Sequence, residues 1–95
     1  MAAHIGFLSL ELQIPHAQSL KEKRRAVKSL KDRIRSRFNV SAAEIDCLDK
    51  WQLAVIGICM ISNERAAVEG QLQQVLNLAE TADDLILLQS HIQFL

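Results

Sequence analysis

Apolar residues change their spacing along this chain, and the order of those changes limits the architectures it can reach. Residues 4–14 alternate: Leu8, Leu10, Leu12 and Ile14 share one face, while Ser9, Glu11 and Gln13 share the other. A period of two predicts a strand. Its opposite face opens with Ile5 and Phe7, so one end is apolar on both sides. Pro15 marks its end. Residues 19–38 then take helical spacing, with Leu20, Val27, Leu30, Ile34 and Phe38 on one stripe. Ser19-Leu20-Lys21-Glu22 has the form of a capping box, and the helix is expected to stop near Asn39.

Residues 40–47 give a weaker strand pattern, with a turn between Asp46 and Lys50. Residues 51–62 give the strongest strand, apolar on both faces as a central strand requires. Gly57 in its middle marks a place where a neighbour can come close. Residues 63–80 return to helical spacing behind a cap at Ser62 or Asn63, with Val68, Leu72, Val75, Leu76 and Ala79 as the buried stripe and Gly70 as a weak point. Residues 85–95 form a last strand. The order β-α-β-β-α-β predicts an α+β ferredoxin-like sandwich over residues 1–95: a four-stranded antiparallel sheet with two helices on one face. The first and third strands are expected to be central. The other sheet face would be uncovered, and Ile5, Phe7, Ile56 and Ile58 are the expected contacts of a homodimer through it.

Composition matters here mainly through its unevenness. The 95 residues carry eleven Lys/Arg and eleven Asp/Glu. Nine of the eleven bases lie between Lys21 and Arg37 against only Glu22 and Asp32, a segment of net +7 in a chain whose remainder is −7. A local field of that kind steers an anionic partner whatever the net charge. Projected at about 100° per residue from Val27, residues Lys21, Arg24, Arg25, Lys28, Lys31 and Arg35 fall between roughly 40° and 160°, on one flank beside the apolar stripe. Three readings stand open: a phosphate-contacting surface, salt bridging to acidic residues of this or another protein, and a solvated face.

Nucleic-acid binding would be electrostatic in mode. An RNA-recognition motif stacks bases on aromatics of its two central strands. Here those strands offer only Phe7 and, at an edge, Trp51, with no tyrosine in the chain. Structured RNA read through its backbone suits this surface better than a single strand. Trp51 is either a contact anchor or a plug at the start of its strand.

Other chemistries find little purchase. Cys47 and Cys59 are twelve apart, with no paired histidines, so no metal site and no cofactor is expected. In a hairpin turning near Leu48–Lys50 the two sulfurs would sit roughly 23 Å apart, which excludes a disulfide. Two unpaired cysteines and the absence of a leader or of an apolar run of membrane length lead us to expect a cytoplasmic protein without membrane contact. No P-loop or hydrolase motif occurs, and a small phosphoester enzyme using the His16 loop would lack the arginine and glycine that hold a phosphate there.

Four segments together resemble one family: SLKEKRRAVKSL at 19–30, RFNVSAAEID at 37–46, WQLAVIGI at 51–58 and ISN at 61–63. They are similar to the small bacterial YlxP-like proteins, the DUF503 family. The resemblance implies a ferredoxin-like fold in a cytoplasmic protein with no established activity, and transfers no catalytic residue. Family members are often encoded beside translation-initiation and ribosome-maturation factors. The expectation is therefore a non-catalytic accessory protein that meets RNA or a ribosomal subunit through its first helix. The alternative is an interaction or oligomerisation module whose basic helix pairs with an acidic protein surface.

Overall fold

A computed structural model of the chain describes residues 2–95. The elements run β1 (His4–Gln13), α1 (Leu20–Arg37), β2 (Ser41–Asp46), β3 (Leu53–Ser62), α2 (Arg65–Glu80) and β4 (Ile86–Phe94). The strands form one antiparallel sheet in the order β2-β3-β1-β4, so β1 and β3 are central as expected. This is the ferredoxin-like βαββαβ arrangement. Pairing Leu8 with Ile58, Leu10 with Ile56 and Leu12 with Ala54 puts these residues on the helix-covered face, where all six are fully buried. Val27, Leu30 and Ile34 of α1 and Val68, Leu72 and Val75 of α2 close the core from above.

The first helix begins as its sequence dictates. Ser19 Oγ accepts from Glu22 N–H at 3.1 Å, satisfying one orphan donor of the first turn, and the Glu22 carboxylate accepts from the N–H of Gln18, just before the cap. The second helix starts later than expected. Its N-cap is Glu64, without a side-chain bond, and Ser62 Oγ, two residues earlier, accepts from Glu64 N–H at 3.2 Å.

Two irregularities shape the sheet. An extra residue between Glu44 and Asp46 makes a bulge in β2, and Ile45, half exposed, leans over Gly57. The Phe7 ring covers the same glycine from β1, so the missing side chain at Gly57 is replaced by two neighbours lying flat on the sheet. A second shift separates Glu11 and Leu12 in the pairing with β4.

The glycines allow a sharp test. A Cβ on Gly6 would stand 2.5 Å from Val68 Cγ1 and 2.7 Å from Leu72 Cδ1, where α2 presses on β1. A Cβ on Gly70 would point into open space, with nothing beyond its chain neighbours and the local helix backbone within 4 Å. Gly6→Ala is expected to destabilise by about 1–3 kcal/mol through overpacking. Gly70→Ala is expected to stabilise by about 0.5–1 kcal/mol through helix propensity. Urea denaturation of the two variants should therefore move in opposite directions.

Candidate nucleic-acid interface

The six cations singled out all lie on α1; among them Arg35 Nη2 donates to the Ala42 carbonyl of β2, and Arg25 lies beside Ser29 and Asp84. Lys21, Arg24, Arg25, Lys28 and Arg35 are exposed and Lys31 is half-buried. Among the described residues, Asp32 is the one carboxylate that forms an ion pair with the flank. It accepts from Lys28 Nζ at 2.7 Å and lies 4.0 Å from Arg35 Nη1. Lys21, Arg24, Arg25 and Lys31 have no ion-pair partner among the described residues. The acidic remainder of the chain therefore does not neutralise the flank from within. The local field shows in Asp32 itself: the Lys28 hydrogen bond first, then the charges of Lys28, Arg35 and Lys31, hold its carboxyl below the ordinary carboxylate value of 3.8.

Lys23, in the same basic run, does something different. Its side chain is fully buried. Nζ donates to Glu44 Oε2 at 2.8 Å, to the Cys47 carbonyl at 2.7 Å, and to the Leu48 and Leu53 carbonyls at 3.3 and 3.2 Å. An ammonium has three protons, so the two longer contacts share one. This one group ties the first turns of α1 to both ends of the β2–β3 turn. Cys47 sits there at φ 60°, a left-handed conformation uncommon outside glycine, and Asp46 Oδ1 accepts from its N–H at 2.7 Å. Sequence reasoning counted Lys23 as one more basic residue. Yet at 100° per residue it falls about 40° from Val27, inside the apolar stripe, and that position was the available signal.

The family model described as "Protein of unknown function (DUF503)" matches residues 5–92. The chain belongs to the DUF503 family. A relative, "Uncharacterized protein YlxP" of Bacillus subtilis (strain 168), is 44% identical over 72 residues, 76% of this chain and 78% of its own length. Among solved structures, "De novo designed protein Foldit4" superposes with a TM-score of 0.57 at 9% identity, covering 98% of this chain and 96% of that one, which speaks to fold alone. The family description assigns no function.

On this DUF503 chain the expected dimer contacts need correction. Ile5 and Phe7 lie on the open sheet face, but Ile56 and Ile58 are fully buried beneath the helices. The strand is apolar on both faces, and pairing with Leu8 and Leu10 sends its even-numbered residues inward. Opposite Ile5 and Phe7 stand Ile61 and Cys59 instead. Phe7, Ala43, Ile45, Gly57 and Cys59 line a shallow, largely apolar hollow of about 210 Å³ on that face.

His16 is exposed in the β1–α1 loop, beside Glu22 and Asp84 in a concavity of about 170 Å³. No serine, cysteine or arginine lines it, and Glu22 is committed to the helix cap. Among the described residues, no group of three His, Cys, Asp or Glu is placed to hold a metal ion. Both cysteines are free and half-buried. Among the described residues, no helix is long and apolar enough to cross a membrane.

Two measurements check this site. Removing one partner of a buried ion pair strands the other, so Lys23→Met is expected to cost about 3–5 kcal/mol. In the Lys23→Met, Glu44→Leu double variant only part returns, because three carbonyls still lose their donor. Chemical denaturation of both reads the difference. Nuclear magnetic resonance titration should place the Asp32 carboxyl below its usual value and show it rising toward normal in Lys28→Ala. With a depressed folded-state pKa, the stability Asp32 contributes is present above the unfolded value and is lost as the pH falls through the folded one.

Proposed function

We propose that this protein is a non-catalytic accessory module that contacts structured RNA through the phosphate backbone, using Lys21, Arg24, Arg25, Lys28, Lys31 and Arg35 on α1. The observation that carries this reading is that four of these six cations have no carboxylate partner among the described residues, although the remainder of the chain has an excess of acid. Like charges at three- and four-residue spacing cost a few tenths of a kcal/mol per pair. A polyanion laid along the flank would relieve that repulsion and release its own counterions. Helix α1 provides a rigid row of cations on a convex surface, the shape suited to a duplex backbone rather than to an enclosed ligand. The His16 hollow, with no nucleophile and no phosphate-holding arginine, offers no comparable support for catalysis.

Binding to ribosomal RNA is the test, measured at two salt concentrations. With all six cations engaged, the log–log slope should be no steeper than about −5. Changing Lys21, Arg24 and Arg25 to glutamate should weaken binding and shallow the slope by about 3, near one unit per lost contact. These substitutions place acid in the first turns of α1, where the helix dipole favours it, so the fold should survive. Binding that is absent in both buffers, or undiminished in the folded variant, sinks the proposal. Displacement by an acidic polypeptide but not by RNA would move the flank to a protein partner.

A further inference from the structure

We infer that the open face of the sheet is a docking surface for a second copy of this chain, packed face to face about a twofold axis that crosses β3 near Cys59. On that face Ile5 stands opposite Ile61 and Phe7 opposite Cys59, and the next pairs along are Ser9 with Gly57 and Glu11 with Val55. The face is therefore apolar toward one end. Ile61 is 64% exposed, the most open large apolar side chain within a strand among the described residues. Four residues away on β3 is Gly57, where a hollow of about 210 Å³ opens between Phe7, Ala43, Ile45 and Cys59. One patch thus carries a protrusion and a recess, both on the same strand and the same face.

This spacing is self-complementary. A twofold axis between two such sheets, perpendicular to β3 at Cys59, sets Cys59 over its own counterpart. It carries Ile61 of each copy over Gly57 of the other. Phe7, level with Cys59, meets Phe7 of the second copy, and Ile5 crosses to Ser9. An isologous contact requires a surface of this kind, in which each protrusion meets the recess of the same patch. A different protein would have to bring a matching recess and protrusion of its own, whereas this chain supplies both.

Charge and area fit the same occupant. No Lys, Arg, Asp or Glu stands on the patch, and Glu11 and Asp46 both lie level with Val55, at its margin. The rotation carries that margin over Asn63 of the second copy, so like charges do not meet. The whole chain is formally neutral, so no long-range repulsion holds two copies apart. The four strands at about 4.8 Å spacing, over the stretch from Val55 to Asn63 at about 3.4 Å per residue, make an overlap of roughly 30 × 19 Å on each copy, or about 1,100 Å² in all. That clears the ~1,000 Å² expected of a specific interface. Both helices cover the other face of each sheet, so the cations of α1 stay outside the pair and two rows of them are presented at once.

Sedimentation equilibrium of the full chain, over concentrations reaching about 1 mM, should show a species of twice the 10.7 kDa protomer mass. Ile61→Asp should raise the dissociation constant about 30-fold or more, as loss of a central anchor does. Trp51→Glu is the control. Trp51 is 56% exposed, so it is no plug at the start of its strand. Its turn is held away from the patch by Lys23 and by Gln52, whose Nε2 donates to the Pro15 and Ala17 carbonyls at 3.2 and 3.0 Å. The dissociation constant of this variant should stay within about twofold of the unaltered chain's, as for a residue outside the interface. A second measurement needs no variant. In a mixture of isotope-labelled and unlabelled chains, nuclear Overhauser contacts between copies should join the Ile61 methyls to the Phe7 ring and the Ala43 methyl. A chain that stays monomeric throughout overturns the proposal. So does a dimer that survives Ile61→Asp, one lost equally in Trp51→Glu, or one without those contacts.

Discussion

One buried ammonium holds together the end of this molecule where α1 meets the β2–β3 turn. Lys23 leaves water completely, and its contacts with Glu44 and three backbone carbonyls offset that cost. The group lies where α1, the end of β2 and the start of β3 converge. An apolar side chain of similar size would fill the space but leave the carbonyls of a tight turn without donors. The left-handed backbone at Cys47 and the turn that carries Leu48 and Trp51 both depend on this contact. The SLKEKRR segment therefore combines two roles: Lys21, Arg24 and Arg25 face solvent, and Lys23 faces in to fix the turn.

The outward cations gain their character from what surrounds them. Ordinary surface ion pairs contribute little, and the Lys28–Asp32 pair is of that kind. Its importance is that it is nearly isolated. Glu22, the other acid of the helix, is turned to the cap, and most acidic residues lie elsewhere in the chain. The helix thus keeps a row of cations with few carboxylates among them, with Arg35 bridging to the sheet.

Much of the fold was legible in the sequence because local and global signals agreed. The alternation of β1, the capping box at Ser19 and the apolar stripe of Val27, Leu30 and Ile34 each has a single structural solution. Legibility failed where a pattern had two solutions. A strand apolar on both faces does not disclose which face is inward; only the pairing with Leu8 and Leu10 turns Ile56 and Ile58 to the helix-covered side. Lys23 was hidden for a different reason. Residue type argued for solvent, and only its angular position argued for the core. The acceptors that make its burial tolerable come from residues 44–53, so no local window contains them. Trp51 had two readings because exposure at a turn is set by tertiary bonds, here those of Lys23 and Gln52.

The contact between Arg35 and the Ala42 carbonyl has a consequence for how this sheet could grow. An outer strand ordinarily presents a ladder of free carbonyls and amides to any passing extended segment. On β2 that ladder is only six residues long, broken by a bulge, and roofed by a guanidinium that already occupies an acceptor. On β4 it runs for nine residues with β1 as its only partner. The two rims of the sheet are therefore unequal: the shorter one has an acceptor already taken by Arg35, and the longer ladder lies on β4.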